Sequence, residues 1–337
     1  MALQTAQVGL WIVVLLVLIA LAFDFMNGFH DAANAIATVV STGVLKPVQA
    51  VMLAAVFNFV ALFVFQLKVA TTVGSGIIDP GVVDHVVVFG ALVGAIGWNI
   101  VTWYYGIPSS SSHALIGGLV GAAVAKAGAW ALIPAGVLKV IAFIFISPLL
   151  GMLLGGALML GASWILFRMT PARVDRAFRR VQLVTSSMYS LGHGGNDAQK
   201  TVGIIWMLLI GTGYLGRGDP IPAWVVVACY LTIGLGTLFG GWRIVRTMGQ
   251  RITKVRPVGG VCAELSGSIT LFLATALGIP VSTTHTITGA IVGMGAAQSM
   301  SAVRWGVAGN IVWAWVLTSP CSAFMAGIAW YVGQYFL

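Results

Sequence analysis

"GIPSSSSHALIGGLVGAA" occupies residues 106–123, and "GIPVSTTHTITGAIVGMG" occupies residues 278–295, an offset of 172. Pro108 falls on Pro280, His113 on His285, and Gly117 and Gly121 on Gly289 and Gly293. Ser147-Pro148 returns as Ser319-Pro320 at the same offset. A second pair lies upstream of each copy. "NGFHDAANA" (27–35) aligns with "HGGNDAQKT" (193–201) at an offset of 166, placing Asp31 on Asp197 and Asn34 on Lys200. Two motifs that recur in one order with a few residues of drift read as a tandem duplication.

Composition names the solvent. The chain is 59% hydrophobic and 7% charged, with a mean hydropathy of +1.00, whereas soluble domains carry about 25% charged residues. Windows at Val8–Phe25, Val48–Leu67, Val86–Tyr105, Val137–Phe167, Ala223–Phe239 and Gly306–Leu337 approach or exceed the ~20 apolar residues that span a bilayer. The alternating ten-residue strands of a membrane β-barrel are not seen. The fold expected is an all-α polytopic membrane protein of roughly 10–12 membrane segments. The stretches 8–40 and 129–168 are each long enough for one kinked helix or a helix plus a half-helix. The first apolar segment has no basic n-region and no clean cleavage site, so it reads as a span and not a signal peptide.

The net charge of +9 does not point to nucleic acid. Arg168, Arg173, Arg176, Arg179 and Arg180 crowd the centre of the chain, and Arg243, Arg246, Arg251, Lys254 and Arg256 crowd one later loop. Basic loops beside apolar spans mark the cytoplasmic side. The loop matched to the second cluster, Lys68–His85, holds one lysine and two aspartates. Equivalent loops with opposite bias belong on opposite faces of the membrane, which makes the duplication an inverted-topology repeat. The expected organisation is a first repeat over 1–168, a basic cytoplasmic connecting loop over 169–183, and a second repeat over 184–337. Both uncharged ends are then expected outside. Cys229, Cys262 and Cys321 lie scattered in apolar segments and read as small core residues with no disulfide or zinc spacing.

Polar residues inside such a chain need a reason. A charge at the bilayer centre costs about 2.5–3.5 kcal/mol on insertion scales, so Asp31 and Asp197 at matched positions read as functional. Asp24 is a weaker candidate in the first span. Capping of a half-helix is the plainer role for either matched aspartate, since Asp is a preferred N-cap. The hydroxyl runs behind Pro108 and Pro280 (Ser110, Ser111, Ser112; Ser282, Thr283, Thr284) read as the N-termini of re-entrant half-helices. Free N–H groups and the positive dipole end there favour an anion. Asp31, Asp197 and Glu264 would repel that anion, so a cation is expected with it. Sodium suits the oxygens of Asp31, Asn34, Asn196 and Asp197, and a proton on a buried carboxylate serves equally. Lys200 neutralises an aspartate or reaches the anion. His113 and His285 are expected to be hydrogen-bonded structural residues. No HExxH, Walker loop or GxSxG motif marks an enzyme or a catalytic metal.

At these residues the chain resembles the PiT family of inorganic phosphate transporters. The family's twin signature, roughly GxNDxAN, stands here as "GFHDAAN" (28–34) and "GGNDAQK" (194–200), and "CAELSGSITLFLATALGIPVSTTHTITGAIVG" (262–293) is similar to its second-half core. The resemblance implies phosphate symport driven by sodium or protons, by alternating access, in a homodimer of the bacterial cytoplasmic membrane. It implies phosphate at Asn34, Lys200, Thr201, Ser110, Ser111, Ser112, Ser282, Thr283 and Thr284. The cation falls to Asp31, Asn34, Asn196, Asp197 and Glu264, with sodium at Asp31 and Asp197, and no other cofactor is expected. His30 and Lys200 depart from the signature. The "GHGGNDAQK" form is similar to bacterial members that move phosphate with protons, often as a neutral metal–phosphate complex. Some relatives carry sulfate, which leaves another oxyanion, or an anion channel, as the alternatives.

Overall fold

Helices make up most of residues 8–337, the part of the chain that the computed structural model describes, and no β-sheet forms among them. The first half contributes α1 (Leu10–Ser41), α2 (Pro47–Val60), α3 (Lys68–Ser75), α4 (His85–Tyr105), α5 (Ser111–Ala127) and α6 (Pro134–Leu166). The second contributes α7 (Pro171–Gly211), α8 (Ala223–Phe239), α9 (Trp242–Arg246), α10 (Pro257–Ala276), α11 (Thr283–Gln298) and α12 (Trp305–Gly333). Proline opens α2, α6, α7 and α10, where its missing N–H costs nothing. Asp84, Ser110 and Ser282 cap α4, α5 and α11 through their side chains.

Five helices (α1, α4, α6, α10 and α12) are long and apolar enough to cross a membrane, and two bent pairs raise the number to seven. The chain is a multi-pass membrane protein. The bends fall at equivalent places: α2 with the short turn behind it meets α3 at 82°, and α8 meets the segment from α9 to Arg251 at 62°. By contrast α5 and α11, with 17 and 16 residues, extend about 25 Å. That is short of a ~30 Å hydrocarbon layer, as half-helices should be. Each follows a glycine turn of the same geometry. Gly106 (φ 65°) and Gly278 (φ 67°) take the left-handed conformation open to glycine. Behind them Ile107 N–H donates to Thr102 O at 2.9 Å and Ile279 N–H to Ala274 O at 2.8 Å. These paired bonds end α4 and α10 and return the chain toward the centre.

Three expectations are corrected. Asp31 and Asp197 cap nothing: both lie inside uninterrupted helices of 32 and 41 residues. The stretches 8–40 and 129–168 hold long continuous helices, not helix plus half-helix, and Pro148 sits within α6. The basic segment 169–183 is not a loop but mostly the first turns of α7, and Lys68–Ser75 is helical as well.

The matched helices α1 and α7 run antiparallel. Arg179, near the start of α7, donates to Thr42 O and Gly43 O at the end of α1 (3.3 and 2.6 Å). At the other extreme Tyr214, just beyond α7, donates to Val8 O at 3.2 Å. The two halves also exchange partners: α5 packs on α12 and α11 on α6, while α1 packs on α8 and α7 on α2 and α3. Glycine makes the first exchange possible. A Cβ on Gly121 would lie 2.1 Å from Ala323 O, and one on Gly293 would lie 1.9 Å from Met152 O. Such small-residue stripes let membrane helices approach backbone to backbone.

Candidate functional site

Positions 27 to 38 of α1 and 193 to 201 of α7 are almost wholly buried, and the polar side chains on them face each other and the half-helix N-termini. Asp31, Asp197 and His193 each offer a ligand atom, and these atoms lie within 4.8 Å of one another. From the second half, Thr283 donates to Asp197 Oδ2 at 3.1 Å and Thr284 to Asp31 Oδ1 at 3.4 Å. Asn34 Nδ2 donates to the hydroxyls of Thr283 and Thr284 at 3.2 and 2.9 Å. From the first half, Ser112 accepts from Lys200, whose ammonium also donates to Asp197 Oδ1 at 2.5 Å. The N-termini of α5 and α11 therefore converge on the two aspartates, and the rings of His113 and His285 meet just behind with centroids 4.6 Å apart.

Several side chains do other work than expected. Ser110 and Ser282 spend their oxygens capping, accepting from His113 N–H and His285 N–H at 3.1 Å each. Thr201, one turn beyond Asp197, donates to Asp24 Oδ1 at 2.7 Å. Asn196 is braced within the protein: its amide donates to Thr275 Oγ1 and Ile279 O and accepts from Val281 N–H. Glu264 is apart from the aspartates. It accepts from Thr38 at 2.6 Å, Gln182 at 2.9 Å and Thr185 at 2.5 Å, and Thr38 lies seven residues, about 10 Å of helix, beyond Asp31. His113 and His285 have no hydrogen-bond partner at either ring nitrogen. They are held by packing instead, with His285 stacked on Trp315 at 4.0 Å.

His193 was not singled out from the sequence, although it stands four residues before Asp197 and so on the same helical face. Its network runs one way. Thr237 donates to Ile233 O and accepts from Asn58 Nδ2, which leaves Asn58 Oδ1 to accept from His193 Nδ1 at 3.0 Å. Nε2 has no hydrogen-bond partner and lies 3.3 Å from Asp197 Oδ2. Two carboxylates and a ring nitrogen within reach of one another make this a place for positive charge. His30 performs the matching task in the first half, with Nδ1 2.8 Å from Asp31 Oδ1 and Nε2 3.2 Å from Thr102 Oγ1. The repeat has exchanged its residues: Asn27 and His30 in one half stand against His193 and Asn196 in the other. Asn34 Oδ1 and Ser111 Oγ are among the buried polar atoms at the centre without a protein partner, and buried polar groups of that kind call for a ligand or water.

A polytopic helical protein with opposed half-helix N-termini and carboxylates at its core has the architecture of a membrane solute transporter. Comparison with known proteins gives the family. The model of the phosphate transporter family matches residues 27–326, and this chain belongs to that family. It is 60% identical over 319 residues to a probable low-affinity inorganic phosphate transporter of Rhizobium meliloti, covering 95% of this chain and 96% of that one. A Bacillus subtilis protein of the same description is 48% identical, with 95% and 96% covered. A solved structure described as the sodium-dependent phosphate transporter superposes with a TM-score of 0.86 at 23% identity, over 97% of this chain and all of that one. At that identity the likeness bears on the fold.

Proposed function

We propose that this chain is a secondary active symporter that takes up inorganic phosphate across the cytoplasmic membrane, coupled to sodium or protons. Its two halves are inverted repeats, each supplying one half-helix and one aspartate to a single central site, and transport proceeds by alternating access around it. The antiparallel course of α1 and α7 supports the inversion. As the family resemblance implies, it works as a homodimer with both ends outside and the basic start of α7 inside.

One observation carries the reading. Two half-helix N-termini, α5 and α11, meet at Asp31 and Asp197, so donors for an oxyanion and ligands for a cation share one buried place. The hydroxyls of Ser111, Ser112, Thr283 and Thr284 add neutral donors to the amide groups behind them, and the carboxylates make anion entry depend on a cation. A divalent metal–phosphate complex is favoured as cargo by one detail, the free Nε2 of His193 beside both carboxylates, because an imidazole nitrogen suits a transition metal better than sodium.

The test is uptake of labelled phosphate into proteoliposomes with sulfate as competitor, sodium and pH gradients imposed separately, and divalent ions chelated in a parallel arm. Accumulation driven by either gradient and insensitive to sulfate is expected. Downhill flux indifferent to both gradients would mean a channel, and equal competition by sulfate would mean a general oxyanion carrier. Loss of uptake on chelation identifies the metal complex as the cargo.

A further inference from the structure

Asn34 and Lys200 are matched residues, three positions beyond Asp31 and Asp197, and each crosses to the half-helix of the opposite repeat. Their hydroxyl partners are matched as well, since Thr284 is the repeat mate of Ser112. Asn34 Nδ2 donates to Thr284 Oγ1 at 2.9 Å, and Lys200 Nζ donates to Ser112 Oγ. Here the symmetry ends. The Lys200 ammonium has two further acceptors, Asp197 Oδ1 at 2.5 Å and Val281 O at 2.7 Å.

Its three partners are therefore a carboxylate oxygen, a hydroxyl oxygen and a peptide carbonyl oxygen. They come from three places in the chain: α7, the start of α5, and the turn before α11. That mixture of oxygens is what binds a hard cation, and an ammonium brings one positive charge and three donors to satisfy it. The residue is 1% exposed, so its charge is held by protein groups and not by bulk water. An ordinary helical ion pair at a spacing of three residues would need only Asp197. The hydroxyl and carbonyl complete a coordination shell.

We propose that the Lys200 ammonium is a tethered coupling cation: it fills an alkali-ion position beside Asp197, so phosphate transport by this chain needs no sodium ion there. The inference deepens the central-site reading and rests on it. Shortening the side chain to the asparagine that the first repeat uses at this position removes the charge and opens the shell. A sodium ion then takes the place of the ammonium. A chain with Lys200 thus moves one fewer cation per phosphate than the same chain with asparagine.

Phosphate uptake is measured in proteoliposomes at one fixed pH gradient, in sodium chloride or choline chloride of equal strength, for the wild type, Lys200→Asn, Lys200→Ala and Lys200→Met. Wild-type rates are expected to be equal in the two salts. Lys200→Asn and Lys200→Ala are expected to be slow in choline and faster in sodium by about tenfold, the size of an ordinary coupling between bound ligands. Lys200→Met keeps the stem and fills the same space without charge, so sodium is expected not to restore it. In detergent, sodium should raise the melting temperature of Lys200→Asn and leave that of the wild type unchanged, because a ligand stabilises only a protein that binds it. The proposal is overturned if neither small variant responds to sodium in rate or melting temperature, if Lys200→Met responds as they do, or if the wild type itself requires sodium to the same degree. Absence of wild-type uptake in every medium would overturn the central phosphate site instead. Two small variants are carried so that a folding failure of one leaves the other to decide.

Discussion

Asp31 and Asp197 are equivalent in the repeat but differ in their neighbours, and their substitutions should differ accordingly. Asp31 is partnered by the ring of His30 and the hydroxyl of Thr284. Asp197 is partnered by an ammonium, a hydroxyl and, at 3.3 Å, the free nitrogen of His193. Hydrogen bonds to charged groups contribute about 1.5–3 kcal/mol, so losing one slows uptake about ten- to a hundredfold. We expect Asp31→Asn and Asp197→Asn both to fall by at least that much in labelled-phosphate uptake. Only Asp197→Asn should also melt markedly earlier in detergent, because breaking a buried ion pair leaves one charge unpaired at a cost of about 3–5 kcal/mol. Wild-type uptake in both variants would remove the aspartates from the site. That Asp31, Asp197 and the hydroxyl run share one buried place fits their standing out in the sequence as charge and hydroxyls against an apolar chain. The protein partners of Thr201 and Asn196, Asp24 and the turn before α11, were not legible, because a motif does not say what packs against it. His193 was overlooked although helical periodicity placed it on the face of Asp197.

Among the elements, α5 and α11 matter most, since they bring the anion-facing N-termini to the membrane's interior. What keeps them there is contact with a helix of the other half, α12 for α5 and α6 for α11, through glycine. A side chain at Gly121 or Gly293 would meet backbone oxygen and carbon atoms within 2.8 Å, and backbone has nowhere to rotate. Overpacking in close-packed cores costs about 1–3 kcal/mol, and rigid helix backbone puts these sites at the upper end. Gly121→Val and Gly293→Val are each expected to lower the melting temperature and cut uptake together, whereas Gly161→Val, with nothing near its Cβ position, should change neither. The glycine spacing and the Pro-hydroxyl starts announced these half-helices in the sequence. The sequence left open whether the stretches 8–40 and 129–168 are broken, because buried polar residues look like helix ends when their partners are unknown. Asp31 and Asp197 sit mid-helix because partners from the opposite half satisfy them there.

For the molecule as a whole, the charge asymmetry and the packing point the same way. Gly249, in the basic stretch, lies against Ser41 at the end of α1, while Val83, in the acidic stretch, lies against Gly211 at the end of α7. With α1 and α7 antiparallel, the end of α1 lies beside the start of α7, so these two regions lie at opposite ends of the protein. A cysteine replacing exposed Pro80 should be labelled by an impermeant reagent from outside intact cells, and one replacing exposed Arg251 only after permeabilisation. Labelling of both from one side would end the inverted-repeat assignment. Composition and hydropathy are properties of the linear chain, so the sequence by itself determined the helical membrane class. The exchange of partners between halves, the antiparallel pairing of α1 with α7, and the shell of oxygens around Lys200 join distant residues, Lys200 to Val281 across 81 positions and Asp31 to Thr284 across 253. Those contacts arise only when helices pack, because which partner a buried polar group finds is set by helix rotation and crossing, and only the tertiary structure decided it.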